Sequence, residues 1–118
     1  MHELGIVFHI IKQVEEVAIK NSVKEVNKVV LEIVEVSGVV PKYLHDCWKW
    51  AVENRSEHMK NCTLEVISLK ATSFCKNCEK MYDTVPAGRI CPHCQSKDTY
   101  LVTGNEVSIK HIEVKDEN

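Results

Sequence analysis

The chain has 118 residues, of which 44% are hydrophobic and 27% are charged, and its formal net charge is −2. This length and composition predict one modest globular domain with at most a small appendage. The acidic balance argues against a general attraction to nucleic acid or anionic membranes. No apolar run approaches the roughly 20 residues that cross a bilayer, and we expect no secretory signal at the N-terminus.

The first half of the chain predicts a helix, a strand and a second helix. Residues 4–20 carry apolar side chains at spacings of three and four, with Ile6, Ile10 and Val17 widening the stripe. Residues 26–36 predict a strand that is apolar on both faces and ends at Ser37-Gly38. Pro41 opens the second helix, where its missing N–H does no harm. The apolar face of that helix comprises Tyr43, Leu44, Cys47, Trp48, Ala51 and Val52.

The second half predicts two strands, at 63–72 and 106–114, with a cysteine-rich segment between them. These two strands can pair antiparallel and form the base of that segment. We therefore predict an α+β fold, in which a small three-stranded sheet is packed by two helices and carries an inserted, zinc-ribbon-like module with four cysteines. The predicted domains are 1–72 plus 105–118 for the α/β part and 73–104 for the module.

Two CxxC pairs dominate the module. Cys75 and Cys78 form the first pair, Cys91 and Cys94 form the second, and residues 79–90 separate them. Each pair can present two sulfurs from one tight turn, and four thiolates form the tetrahedral set that structural zinc prefers. Such pairs in a chain without a secretory signal indicate a metal site in a reducing cytoplasm rather than disulfides. Four sulfurs leave no open coordination position, so the site is predicted to be structural and not catalytic.

The residues of the module also allow other metals and other functions. Iron is the rival metal, because Cys91-Pro92-His93-Cys94 also resembles a rubredoxin knuckle. His93 could exchange into the site, although a position outside the ligand shell or on the surface is favoured. A zinc-ribbon module that binds protein or nucleic acid is the competing function, and a dithiol redox enzyme is a third. The acidic balance and the lack of a basic, aromatic stripe weigh against nucleic acid.

The N-terminus offers a second, different donor set. Met1, His2 and Glu3 bring together an α-amine, an imidazole and backbone nitrogens. Both titratable donors can be neutral near pH 7. Nitrogen sites of tetragonal or square-planar geometry suit Ni(II) and Cu(II). Three residues recur by chance, however, so His2 taken alone is more simply a terminal residue without a ligand role.

The chain resembles a known family along essentially its whole length. The resemblance rests on Met1-His2-Glu3-Leu4, on Glu35-Val36-Ser37-Gly38-Val39 with Pro41 close behind, on the two CxxC pairs, and on Gly104-Asn105-Glu106. The chain is similar in these segments to the HypA family, the nickel-insertion metallochaperones of [NiFe]-hydrogenase maturation, some of which also serve urease.

This resemblance implies a non-enzymatic nickel carrier. Its Ni(II) site would use His2 as the indispensable ligand, helped by the Met1 amine and the Glu3 backbone nitrogen, and its structural Zn(II) would sit on the four cysteines. The implied partners are a HypB-type GTPase and the hydrogenase large subunit or its maturation complex, with urease accessory proteins in some members. We expect a monomer or a weak homodimer. Val40 stands where members often carry an acidic residue, so no nickel ligand is assigned to that loop.

The remaining candidate ligands are predicted to have ordinary roles. His9 and His45 lie on predicted helices and are interpreted as packing or surface residues. Neither His58 nor His111 has a partner at metal-ligand spacing. Cys47 and Cys62 are interpreted as small buried residues. Trp48 is predicted to lie in the core and Trp50 at the surface.

Overall fold

The computed structural model describes residues 3–102 and 106–115. Its helices are α1 (Glu3–Lys20), α2 (Pro41–Asn54) and the single turn α3 (Thr84–Ala87). Its strands are β1 (Val26–Val34), β2 (Thr63–Leu69), β3 (Thr72–Cys75), β4 (Met81–Asp83), β5 (Thr99–Val102) and β6 (Val107–Val114). None of the helices within these described ranges is both long enough and apolar enough to cross a membrane.

The predicted α+β class is confirmed, and the structure adds a second sheet. One three-stranded sheet has the order β2-β1-β6, and the other has the order β4-β3-β5. The second sheet comes from the cysteine-rich segment. Its strands are too short for an alternation of apolar and polar residues to predict them from the sequence.

Strand β1 is the centre of the first sheet. Val29, Val30 and Leu31 are each no more than 1% exposed, which confirms a strand buried on both faces. The central place of β1 corrects the idea that the strands at 63–72 and 106–114 pair directly, because β1 lies between them. A strand that is apolar on both faces buries the most apolar surface in the centre of a sheet, where it has a strand on each side and other elements packed on both faces.

Hydrogen bonds near the two ends of β1 fix the strand directions. Thr63 Oγ1 donates to Asn27 O, and Glu35 N donates to Leu69 O, so β1 and β2 run the same way. Val34 N donates to Glu106 O, and Lys115 N donates to Glu25 O, so β6 runs the opposite way. The sheet is therefore mixed, with α2 as the crossover between β1 and β2.

The helices bury narrower stripes than the sequence suggested. The buried side chains of α1 include Val7, Ile11 and Val14, whereas Leu4 and Val17 are 41% and 46% exposed. In α2, Trp48 is 3% exposed and its indole Nε1 donates to Cys62 O at 2.9 Å, while Trp50 is 48% exposed. Both tryptophan predictions are confirmed.

The strand predicted at 63–72 is broken in the structure. Strand β2 ends at Leu69, β3 starts at Thr72, and the fully buried Ala71 lies in the gap. Ala71 N donates to the Glu35 carboxylate at 3.1 Å, and Ala71 O accepts from Thr84 N at 2.9 Å. Since both backbone groups are satisfied outside a strand ladder, the chain can bend here at little cost.

The chain divides into two compact units. The first unit comprises the described residues up to Glu32, the segment Gly38–Ile67 and the described residues from Ser108 onward. The second unit comprises Ile33–Ser37 and the described part of 68–107. In the second unit, the register places Ser73 opposite both Tyr82 and Leu101. Its buried cluster is small and consists of Cys75, Tyr82 and Cys91, with Cys78, Ala87 and Cys94 packed against it.

Candidate metal centre

The two cysteine pairs adopt the same backbone conformation. Cys75 N donates to Lys80 O at 3.0 Å, and Cys91 N donates to Ser96 O at 2.9 Å. In the return direction, Glu79 N and Gln95 N donate to the carbonyls of Cys75 and Cys91, each at 2.8 Å.

Glu79 and Gln95 each follow the second cysteine of a pair, and both have positive φ, at 58° and 61°. Non-glycine residues seldom adopt this left-handed conformation, and it costs conformational energy. Both turns adopt it at the same place, so the two cysteine pairs share one backbone geometry.

The four sulfurs converge on one point. The Sγ atoms of Cys75 and Cys94 are 3.6 Å apart, those of Cys78 and Cys91 are 3.7 Å apart, and all four lie within 4.8 Å of one another. A tetrahedral ion with metal–sulfur bonds of about 2.3 Å requires sulfurs about 3.8 Å apart. The geometry therefore fits a metal of zinc type, and it brings together all four cysteines that the spacing predicted.

Protein groups around the cluster stabilise negative charge on the sulfurs. The Asn77 side-chain amide lies 3.4 Å from Cys94 Sγ, and His93 N lies 3.3 Å from Cys91 Sγ. The hydrogen bond from Asn77, with one from the Ser96 backbone, lowers the pKa of the Cys94 thiol to about 6. Burial instead raises the pKa of the Cys78 thiol to about 12. Metal ligation requires thiolates, so a divalent cation that bound here would displace any thiol protons.

The charged side chains near the cluster stay outside it. Cys75 and Cys91 are fully buried, whereas His93, Lys80 and Arg89 are exposed, and Lys76 Nζ lies 5.5 Å from the Tyr100 ring centre. His93 thus contributes its backbone N–H to the site. Asn77 was missed by the sequence reasoning, although its place between the two cysteines of the first pair was a usable signal.

Two of the three predicted nickel donors, Met1 and His2, fall outside the described residues. Glu3 is the first residue of α1, is 8% exposed, and its carboxylate accepts the backbone N–H of Val40 at 3.1 Å. The sequence did not anticipate that this side chain joins the start of α1 to the residue that precedes α2.

The other candidate ligands are not assembled into a site. Apart from the four cysteines, no group of three histidine, cysteine or acidic donors within residues 3–102 and 106–115 is close enough to share an ion. His9 and His45 are exposed, and His58 pairs with Glu15 at 2.7 Å. Cys62 is buried, which raises the pKa of its thiol to about 12 and keeps it protonated; Cys47 is half-buried.

Comparison with known proteins gives a consistent result along the whole chain. A family model described as hydrogenase/urease nickel incorporation, metallochaperone, hypA, matches residues 1–114. The hydrogenase maturation factor HypA of Aquifex aeolicus is 30% identical over 115 residues, which is 98% of this chain and 98% of that protein. The HypA of Albidiferax ferrireducens is 29% identical over 98% of this chain and is covered in full.

Solved structures agree with the sequence comparison. The solution structure of the Ni metallochaperone HypA from Helicobacter pylori superposes with a TM-score of 0.75 at 27% identity, covering 99% of this chain and 100% of that one. A second HypA solution structure also gives a TM-score of 0.75, at 26% identity, covering 98% of this chain and 97% of that one. Both comparisons span the two units of the chain, so the likeness is not confined to the cysteine module.

Proposed function

The chain belongs to the HypA family of hydrogenase/urease nickel-incorporation metallochaperones, and from that membership we propose that it carries Ni(II) on its N-terminus and hands it to a partner protein. The observation that carries the proposal is the family match, which begins at the first residue of the Met1-His2-Glu3 sequence and runs to residue 114.

The proposed nickel ligands are the Met1 amine, the His2 imidazole and the Glu3 backbone nitrogen. Nitrogen donors in a tetragonal or square-planar arrangement suit Ni(II). The hydrogen bond from Val40 N to the Glu3 carboxylate ties the start of α1, where the third proposed donor lies, to the residue that precedes α2.

The proposed resident metal is Zn(II) on Cys75, Cys78, Cys91 and Cys94. The sulfur separations support it. Zinc held by four thiolates has no open position, so when bound it supplies a cross-link rather than a reaction centre. The two turns position the four sulfurs, and the Asn77 side-chain amide and the His93 backbone N–H provide hydrogen-bond donors beside them.

The chain is proposed to act as a carrier without enzymatic activity. Nickel held by a chain terminus can pass to an acceptor by exchange of one ligand at a time. The order of divalent-metal affinities places Cu(II) above Ni(II) for such donors. Selectivity for nickel is therefore proposed to come from metal availability and from recognition by the partner. The proposed partners are a HypB-type GTPase and the hydrogenase large subunit or its maturation complex, with urease accessory proteins as further acceptors.

Nickel titration of the protein with its native N-terminus tests the proposal. We expect one exchangeable nickel per chain at pH 7.5 and weaker binding at pH 6, because protons compete for the amine and imidazole. His2→Ala should abolish high-affinity nickel binding and leave the zinc content unchanged. His9→Ala is the matched control, because His9 is an exposed histidine of α1 outside the proposed site.

An N-terminal extension supplies the second arm of the test. Adding residues before Met1 moves the α-amine away from His2 and should weaken nickel binding without altering the zinc content. Equal nickel affinity in the native-ended, extended and His2→Ala proteins would overturn the nickel proposal. Retention of zinc alone in all of them would instead favour the zinc-ribbon interaction module.

A further inference from the structure

A polar cavity of about 350 Å³ lies within the second unit, apart from the four sulfurs. Its volume is at the low end of the range of small-molecule sites, which is about 300–1,000 Å³. The walls come from β3, α3, β5 and the segments on either side of the second cysteine pair. The lining residues are Ser73, Thr84, Gly88, Arg89, Lys97, Thr99, Tyr100 and Leu101.

The sheet register explains how this wall is assembled. Ser73 faces Leu101 and Cys75 faces Thr99 across the β3–β5 ladder, so Ser73, Thr99 and Leu101 share one face of the sheet. Arg89 precedes Cys91 and Lys97 follows Cys94. Thr99 Oγ1 donates to Arg89 O at 2.8 Å, which fixes the backbone of Arg89 against the sheet.

The charged residues that line the cavity are all positive. Two of its lining residues, Arg89 and Lys97, are cationic, and none is acidic. Among the described residues, neither of these cations forms an ion pair. Asp98 is adjacent in sequence but exposed and outside the lining. Such a cavity is complementary to an anion.

Ser73 and Thr84 add hydroxyl groups to the lining of the cavity. Ser73 is 3% exposed, and its Oγ lies 2.7 Å from Thr84 Oγ1. Each hydroxyl carries one proton, and the bond between them uses only one of the two. The second proton can be donated to an acceptor in the cavity. Two cations and a hydroxyl are the donors that proteins commonly present to phosphate oxygens.

We propose that this cavity binds the phosphate group of a small phosphate monoester. Arg89 and Lys97 contact the charged oxygens, and the hydroxyl pair of Ser73 and Thr84 donates to one of them. The cavity is larger than a bare phosphate, and Leu101 provides an apolar border for the organic part of the ester. This site is independent of the nickel proposal, since none of its residues belongs to the N-terminus.

Amide chemical shifts of the zinc-loaded protein, titrated with inorganic phosphate and with phenyl phosphate at constant ionic strength, test the proposal. We expect saturable shifts centred on Ser73, Thr84 and Thr99, with phenyl phosphate the tighter ligand. A chloride titration supplies the ionic-strength control. Saturation with inorganic phosphate but not with phenyl phosphate would overturn the ester assignment.

Substitution of each cation separates a site from general attraction. Arg89→Gln and Lys97→Met should each weaken phenyl phosphate binding by about tenfold or more, because each removes a charge-assisted hydrogen bond. Lys80→Met is the matched control, an exposed lysine of the same unit that does not line the cavity. The amide spectrum shows whether each variant remains folded. If Arg89→Gln does not fold, Lys97→Met alone tests the proposal, because Lys97 is exposed and its substitution should not disturb the fold.

Two results would overturn the proposal. One is a loss of affinity in Lys80→Met equal to that in Lys97→Met, which would indicate diffuse surface charge. The other is the absence of saturation with phenyl phosphate at concentrations up to about 10 mM, well above the dissociation constants of specific small-molecule sites.

Discussion

The carboxylate of Glu3 accepts the backbone N–H of Val40 at 3.1 Å. Glu3 is the first residue of α1, and Val40 is the N-cap residue of α2, whose valine side chain forms no capping hydrogen bond. A buried carboxylate 37 positions earlier in the chain thus accepts the backbone N–H of the N-cap residue of the second helix. The contact fixes where α1 begins relative to the start of α2.

Replacing Glu3 should separate the structural role of this side chain from nickel binding. Glu3→Ala leaves the Val40 N–H without this charged acceptor, and hydrogen bonds to charged groups contribute about 1.5–3 kcal/mol. We expect the free energy of unfolding to fall by about that amount in urea titrations. Glu3→Gln should lose less, because an amide oxygen still accepts.

Nickel titration of the same variants checks the identity of the donor atom. If the Glu3 backbone nitrogen is the ligand, Glu3→Gln should bind nickel nearly as well as the wild type. Complete loss of nickel in a stably folded Glu3→Gln protein would show that the carboxylate, and not the backbone, is the donor.

If zinc binds the four cysteines as proposed, replacing one of them should unfold the second unit. Among the described residues, the buried cluster beside the sulfurs of this unit is small and consists of Cys75, Tyr82 and Cys91. A structural zinc supplies about 10–16 kcal/mol of apparent binding free energy. We expect Cys75→Ser to lose zinc and to show collapsed amide dispersion for residues 72–102, with the far-UV signal of α1 and α2 largely kept.

Cys47→Ser is the control for that experiment, because Cys47 is a half-buried cysteine outside the four-sulfur cluster. It should retain one zinc per chain. Collapse of the whole far-UV spectrum in Cys75→Ser would contradict independent stability of the helical part.

The two tryptophans of α2 should differ sharply in their contribution to stability. Trp48→Phe removes the donor to Cys62 O and leaves a buried carbonyl without its partner, which costs about 1–3 kcal/mol. Trp50 is half exposed and packs near Phe8, with ring centres 6.4 Å apart. Trp50→Phe keeps most of that contact and should change stability by about 0.5 kcal/mol or less.

Equilibrium unfolding in urea measures both tryptophan variants under the same conditions. Similar losses for the two would mean that the Trp48 indole hydrogen bond adds nothing beyond ring packing.

The His58–Glu15 pair should make stability depend on pH. His58 Nδ1 lies 2.7 Å from Glu15 Oε1, and this hydrogen bond is the main cause of a raised pKa at His58. A base with a raised folded pKa stabilises the fold fully below its unfolded pKa of about 6.5, and that stabilisation is lost as pH rises through the folded value. His58→Gln should therefore lose more stability at pH 6 than at pH 8.5.

The difference between wild type and His58→Gln at each pH isolates this pair from the titration of the cysteines, which both proteins share. His111→Gln is a control, because His111 lies at an exposed position 3.4 Å from Glu113. A stability difference that is the same at both pH values would rule out a charged His58–Glu15 pair.

The sequence determined those features that depend on near neighbours. The periodicity of residues 4–20, the two-faced apolar run at 26–36 and the proline at position 41 placed α1, β1 and the start of α2 correctly. The two CxxC pairs fixed which four sulfurs meet, because each turn brings its own two sulfurs together and four of them complete a tetrahedron. These signals are local, and tertiary packing only selects among a few ways to satisfy them.

Tertiary structure alone decided the relationships between distant residues. The central place of β1 and the link from Glu3 to Val40 rest on hydrogen bonds between residues more than 30 positions apart, and so does the bond from Ala71 N to Glu35 at the break after β2. The cavity also depends in part on residues distant in sequence, since Ser73 meets Leu101 only through the register of β3 and β5. A backbone N–H can donate to any oxygen that reaches it, and which oxygen does so depends on the folded path of the whole chain rather than on the residues beside it.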